Sequence, residues 1–242
     1  MSLSETEIRN NLAEVMGRIQ AAAASVNRSV DAVKLVVVSK RQPADAIEKA
    51  VRSGAVIFGE NYAEEVAAKQ QALASFPGLQ WHMIGHIQSR KARFVAHQFD
   101  YVHALDSLDL AKKLNGILAE KETYLPVLLE MNVSSEASKG GWPVWEKNSW
   151  DEIRPEIESI LSCQYLQIRG LMTMPPLFDN PQEARPFFSR LAIFRDYLAK
   201  CYPAADWTEL SMGTSADFEI AIQEGSTFVR IGQAILGPRL NK

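Results

Sequence analysis

The feature that most restricts the fold is a recurrence of short apolar runs, each followed by a stretch with helical patterning. The runs fall at 35–38, 56–58, 80–85, 101–105, 125–133, 165–172, 208–212 and 227–231. Leu35, Val36, Val37 and Val38 set the pattern: four consecutive apolar residues, three of them β-branched, suit a parallel strand covered on both faces. Parallel neighbours need long crossovers, and the intervening segments supply them, each helical except after the last run. Eight strands within 242 residues, with no linker and no second compositional regime, predict one closed (β/α)8 TIM barrel rather than an open doubly wound sheet. The chain 1–242 therefore reads as a single domain. In the reading from sequence, Gly59 breaks the second strand and Gly85 ends the third, while a helix starts at Ala216. Ahead of the first strand, Ser4 with Glu7 three residues later forms a capping signature. Ile8, Leu12, Val15, Met16 and Ile19 then make an apolar stripe, predicting an extra N-terminal amphipathic helix.

Composition narrows the setting. The chain is 47% hydrophobic and 23% charged with net charge −3, so no basic field invites nucleic acid or an anionic membrane. The two cysteines, Cys163 and Cys201, give no disulfide framework and suit a reducing compartment. The charged opening MSLSETEIRN lacks the apolar core of a signal peptide, and no run approaches spanning length. A cytoplasmic protein is expected.

Barrels of this type bind ligands at the carboxyl ends of their strands, so those ends are read together. Lys40 follows the first strand, Asn61 the second, and Asp106 the fourth. Ser211 to Ser215 close the seventh strand, and Arg230 with Gly232 the eighth. Lys40 is either a solvated strand-end lysine or, desolvated beside apolar walls, a neutral amine ready for Schiff-base chemistry. SMGTS and RIGQ can each be an ordinary turn; on adjacent ends they suggest an anion site of backbone N–H groups and hydroxyls. A phosphate beside a lysine points to a phosphorylated carbonyl compound, and pyridoxal phosphate answers both with one molecule. Arg230 would bear on its ring. His82 and His86 have four-residue spacing but lie on a strand pattern, so no metal site is expected. Trp142 and Trp145 mark a glycine-rich connection that reads as a packed flap.

The segments VVVSKRQP, FGENYAEE, WHMIGHIQSRK, EASKGG, GLMTMP and LSMGTSADFEIAIQEGSTFVRIGQAILG, in this order, resemble the YggS/PROSC family of pyridoxal phosphate homeostasis proteins across nearly the whole chain. The resemblance implies a barrel like the N-terminal domain of alanine racemase. It implies a Schiff base between pyridoxal phosphate and Lys40, Arg230 facing the pyridine nitrogen, and Asn61 near the ring. Ser211, Gly213 and Ser215 of the SMGTS segment, with Gly232 and Gln233, would hold the phosphate. Gln233 departs from the family's usual threonine or serine, Thr214 from methionine and Arg90 from asparagine.

Two classes of function follow. The leading expectation is a monomeric carrier that holds the cofactor and exchanges it with amino acids or pyridoxal phosphate-dependent apoenzymes, with no catalytic residues and no turnover of its own. The rival is an amino-acid racemase or decarboxylase, which would need a second base across the ring from Lys40. Tyr62, His86 and Tyr101 are the candidates for it.

Overall fold

The fold was obtained as a computed structural model that describes residues 3–136 and 139–239; Ala137 and Ser138 of the EASKGG segment lie outside the described residues. The strands are β1 (Lys34–Val38), β2 (Ile57–Glu60), β3 (Gln80–Met83), β4 (Tyr101–Leu105), β5 (Leu125–Asn132), β6 (Trp142–Pro143), β7 (Leu166–Met172), β8 (Glu209–Thr214) and β9 (Phe228–Ile231). All pair in parallel in the order β4-β3-β2-β1-β9-β8-β7-β5, and β5 pairs back onto β4. The result is a closed eight-stranded (β/α)8 barrel. β6 is the addition: Trp142 pairs with Met131 and Pro143 with Asn132 at the carboxyl end of β5, past the residues paired with β4 and β7. The connection that reads as a flap is thus stitched to the sheet, with Trp142 buried and its Nε1 donating to Glu156 Oε2 at 2.8 Å.

The helices are α1 (Glu5–Ala24), α2 (Ala44–Arg52), α3 (Val66–Ala72), α4 (Ala92–Gln98), α5 (Leu108–Ala119), α6 (Arg154–Leu161), α7 (Arg185–Cys201), α8 (Phe218–Gln223) and α9 (Gln233–Leu236). The Ser4 and Glu7 side chains each bond the other's backbone N–H, completing the capping box of α1. Ile8, Leu12, Val15 and Ile19 are buried as the stripe requires, whereas Met16 is 40% exposed and falls off its edge. α1 packs on α8, α2 and α9. It covers the side of the barrel that the four-residue α9 is too short to close. On α7 the residues buried are Phe188, Leu191, Phe194 and Leu198, with Phe187 partly buried at the edge of the same face. α8 begins at Phe218 rather than at Ala216, because Asp217 first closes a turn onto Thr214.

The main core lies between the sheet and its helices. A second, smaller apolar set, including Val36, Ile84, Ala104, Leu128, Met172 and Phe228, fills the barrel itself. Gly59 belongs to this interior. It does not break β2; a Cβ there would come within 2.8 Å of both Val36 and Ile84 side chains, so glycine leaves the room those two side chains occupy. At the amino-terminal end of the barrel Lys34 Nζ sits 2.6 Å from Glu209 Oε1 and 4.7 Å from the Phe228 ring centroid, and the Tyr101 hydroxyl donates to Glu209 Oε2. Overpacking such an interior costs about 1–3 kcal/mol. Gly59→Val should therefore lower the unfolding free energy by that order, read as a reduced denaturant midpoint at unchanged slope; an unaltered midpoint would mean that the barrel interior has space at this layer.

Candidate functional site

The carboxyl ends of the strands open into a cavity of about 430 Å³ whose lining includes Lys40, Asn61, Ser215, Arg230, Gly232 and Gln233. Six of the eight positions singled out in the sequence are thereby brought together. Arg239, which the sequence reading passed over, joins them, and Val38, Ile84 and Met174 supply apolar wall. Among the described residues the lining carries three cationic side chains, Lys40, Arg230 and Arg239, and no carboxylate.

Ser211 and Gly213 are placed elsewhere. Ser211 is fully buried beneath Arg230, its Oγ accepting from Arg230 Nη1 at 2.5 Å and lying 2.8 Å from His103 Nδ1. Gly213, at φ +92°, lies against α8: a Cβ would stand 2.6 Å from the Ala221 Cβ and 2.9 Å from the Phe218 Cα. Its lack of a side chain lets α8 pack against this turn. Thr214 and Asp217 lock the following turn, the Thr214 N–H donating to Asp217 Oδ1 at 2.7 Å. This turn presents Ser215 to the cavity.

Lys40 is half-buried at the end of β1. Burial, reinforced by the positive charges of Arg239, Arg41 and Arg230, holds its ammonium below the usual lysine range, with Glu60 opposing. Its backbone is held by an ionic strut the sequence reading missed. Lys69 Nζ reaches Glu60 Oε1 at 2.6 Å, Glu65 Oε2 at 3.0 Å and the Ser39 carbonyl at 2.8 Å. The Ser39 hydroxyl donates to the same Glu60 oxygen at 2.6 Å. Arg41, in the left-handed region at φ +56°, donates its backbone N–H to Glu65 Oε2 at 2.9 Å. Both neighbours of Lys40 are thereby tied to this cluster. The signal was present, since Glu60 and Lys69 are charged residues facing an apolar layer, but their pairing depends on how α3 packs.

Arg230 is 4% exposed. It touches neutral acceptors: Nη2 donates to the Thr173 carbonyl at 2.9 Å and Nη1 to Ser211. Desolvation pushes its pKa down to about 10, with Asp217 and Glu130 pulling the other way. Glu130 itself is pushed up to about 7, first by burial and then by Asp106. Asn61 Oδ1 is buried and has no hydrogen-bond partner, an acceptor left for a ligand's donor. Gly85 allows β3 to pass this residue, since a Cβ there would lie 2.7 Å from the Asn61 carbonyl oxygen. Together these groups fit a ligand bringing a carbonyl to Lys40, an acceptor to Arg230, a donor to Asn61 and an anion to the loops.

Comparison with known proteins identifies the family. Residues 11–239 match the model of the alanine racemase N-terminal domain. The chain is 38% identical over 235 residues to the pyridoxal phosphate homeostasis protein of Escherichia coli strain K12, covering 96% of this chain and 97% of that one. This chain belongs to the pyridoxal phosphate homeostasis protein family. PipY of Synechococcus elongatus PCC7942, solved with pyridoxal phosphate bound, superposes with a TM-score of 0.79 at 35% identity, covering 90% of this chain and 100% of that one. Alanine racemase from Clostridium difficile 630 shares the fold, with a TM-score of 0.70 at 15% identity; the chain covers 55% of it. Among the described residues of this homeostasis-family barrel no cluster of His, Cys, Asp or Glu could hold a metal ion. None of the helices described is long and apolar enough to cross a membrane.

The ionic strut makes a sharp prediction. In Lys69→Met the Glu60 carboxylate would be left buried without its cation, which costs roughly 3–5 kcal/mol of stability. Burial already raises the Glu60 pKa, and in the variant its folded-state value stays above the unfolded one. The folded state then binds the proton more tightly, so stability falls as pH rises. Denaturant titrations should show a smaller deficit at pH 5 than at pH 8; a deficit independent of pH would contradict the pairing.

Proposed function

We propose that this chain is a cytoplasmic, monomeric pyridoxal phosphate-binding protein that holds the cofactor on Lys40 and serves its homeostasis as a carrier. The observation that carries this reading is the convergence of Lys40, Arg230 and the unpartnered Asn61 Oδ1 on one cavity. Kinship with a protein solved with pyridoxal phosphate bound supports it.

The bound cofactor would supply an aldehyde that a neutral amine converts to an imine and a second amine can reclaim. The chain's own groups serve that exchange. Lys40, with its lowered pKa, presents a larger fraction of neutral amine than a solvated lysine. Ser215 with the backbone at Gly232 and Gln233 would hold the phosphate, and Arg239 adds positive charge at the same mouth. Gly232 lies close against β1, where a Cβ would stand 3.0 Å from the Val38 carbonyl oxygen. Arg230 would present a guanidinium, which only donates, to the ring nitrogen and so would keep that nitrogen unprotonated. An unprotonated pyridine is a poor electron sink, which suits storage better than turnover. Amino acids and apoenzymes that need the cofactor are the partners in this account, exchanging it by amine attack.

Of the three candidates for a second base, Tyr62 and His86 line a pocket that adjoins the cavity at Asn61, and Tyr101 stands apart. Tyr101 lies at the amino-terminal end of the barrel, bonded to Glu209. The Tyr62 hydroxyl accepts from Arg41 Nη2 at 3.2 Å, and His86 Nδ1 bonds Asp106 Oδ2 at 2.6 Å with its side chain 69% exposed.

Absorption spectroscopy before and after borohydride reduction tests the proposal. The purified protein incubated with pyridoxal phosphate should show a visible band that reduction bleaches, leaving a mass increment on the peptide holding Lys40, and Lys40→Ala should show neither. A wild-type protein that stays colourless would overturn it. In Arg230→Glu, a carboxylate beside the ring nitrogen should protonate it and shift the band; an unshifted band would mean that Arg230 does not face the ring.

A further inference from the structure

The interior of the barrel holds two imidazoles that the proposed function leaves without a task. His82 is 1% and His103 0% exposed, in a region otherwise filled by side chains such as Val36, Ala104 and Leu128. His103 packs against Phe228 at 4.9 Å between ring centroids, and His82 stacks on Tyr101 at 5.0 Å. Burying polar rings here is unfavourable unless their nitrogens are bonded. The bonds run in one line: Arg230 Nη1 to Ser211 Oγ at 2.5 Å, Ser211 Oγ to His103 Nδ1 at 2.8 Å, and His103 Nε2 to His82 Nδ1 at 2.9 Å.

The first bond is fixed in direction, and the order of the others is set by where Ser211 sends its one proton. Arginine has donors and no acceptor, so Ser211 Oγ accepts from Arg230. His103 Nδ1 is the acceptor that stands within reach of the Ser211 hydroxyl, at 2.8 Å, and the proton is assigned to that bond. A neutral His103 accepting at Nδ1 carries its proton on Nε2 and donates it to His82 Nδ1. His82 in turn carries its proton on Nε2. Burial favours these neutral forms: His82 is pushed down to about 3, and His103 well below its ordinary value by desolvation, with the neighbouring Arg230 charge contributing. The second acceptor of Arg230 is fixed as well, because Thr173, whose carbonyl takes Nη2, is pinned through its Oγ1 to the Met131 carbonyl at 2.7 Å.

We infer that His103, acting through Ser211 and held in one tautomer by His82, is a positioning residue that fixes the plane of the Arg230 guanidinium toward the ring nitrogen of the bound cofactor. The inference rests on the pyridoxal phosphate reading given above. It assigns Ser211 to the support of Arg230 rather than to phosphate. A flexible arginine side chain loses rotamer freedom when it is held to one geometry. Here two acceptors, each anchored by its own hydrogen bond, hold it in place before a ligand arrives.

The first arm of the test uses the ligand-free protein. Long-range ¹⁵N–¹H NMR of the histidine rings between pH 6 and 8 should show His82 and His103 neutral with the proton on Nε2; a charged His103, or one protonated on Nδ1, would overturn the inference. The second arm titrates pyridoxal phosphate into His103→Asn, whose Oδ1 can accept from Ser211, and His103→Leu, which cannot. Loss of a hydrogen bond that orients a charged group is worth about tenfold in affinity. His103→Leu should bind about tenfold more weakly with a displaced absorption band while borohydride still labels Lys40, and His103→Asn should stay close to wild type. A His103→Leu protein with an intact circular dichroism spectrum, wild-type affinity and an unmoved band would overturn the inference. Failure of the wild-type protein to take up pyridoxal phosphate would instead sink the ligand reading, and the ring-nitrogen role with it, leaving the tautomers as a separate result.

Discussion

Closure of the sheet is the constraint from which the rest follows. Once β5 pairs back onto β4 no barrel strand has a free edge, and all eight carboxyl ends must meet on one rim. Residues far apart in sequence, such as Lys40 and Arg230, become neighbours because β1 and β9 are adjacent, with Val36 paired to Arg230 in the ladder. Alternation along each strand then sends every second side chain inward. Phe228 and Arg230 share the inner face of β9, one in the apolar interior and the other at the mouth.

That mouth is organised by the placement of carboxylates as much as by its cations. Glu60 is taken up by Lys69 and Ser39 behind β1, and Asp217 is bound to the Thr214 backbone. Glu130 is pushed up to about 7 by burial and by Asp106 and does not line the cavity. Lys40, Arg230 and Arg239 therefore face the cavity without an acid in its lining. The same surplus of positive charge does two things: it attracts a phosphate and disfavours the charged form of Lys40.

Most of the architecture was legible in the sequence, because buried parallel strands write themselves as short apolar runs. β4 matches its predicted limits, and β1, β5, β7 and β9 lie within a residue of theirs at each end. The site was legible where a residue stands at a strand end on its own, as Lys40, Asn61 and Arg230 do. It was illegible where two residues look alike in one dimension. Ser211 and Ser215 both belong to the SMGTS segment, yet the extended backbone of β8 turns Ser211 inward under Arg230, while the turn held by Asp217 delivers Ser215 to the cavity. Gly59 looked like a strand breaker because the crowding that requires a glycine comes from β1 and from Ile84 beyond β3. The Lys69 strut, the histidine pair and Arg239 all depend on partners from other elements, and periodicity within one element carries no trace of them.

The central claim is that folding alone prepares Lys40 as a reactive amine before any ligand binds. The most direct measurement is the pH dependence of the rate at which the ligand-free protein forms its imine with pyridoxal phosphate, with Lys40→Ala as the blank. The account predicts an apparent pKa for Lys40 below the ordinary lysine value of about 10.4, in the direction set by its burial and its three arginine neighbours. A Lys40 that titrates at or above that value would contradict it, and would make the cavity a binding site that does not activate its own nucleophile.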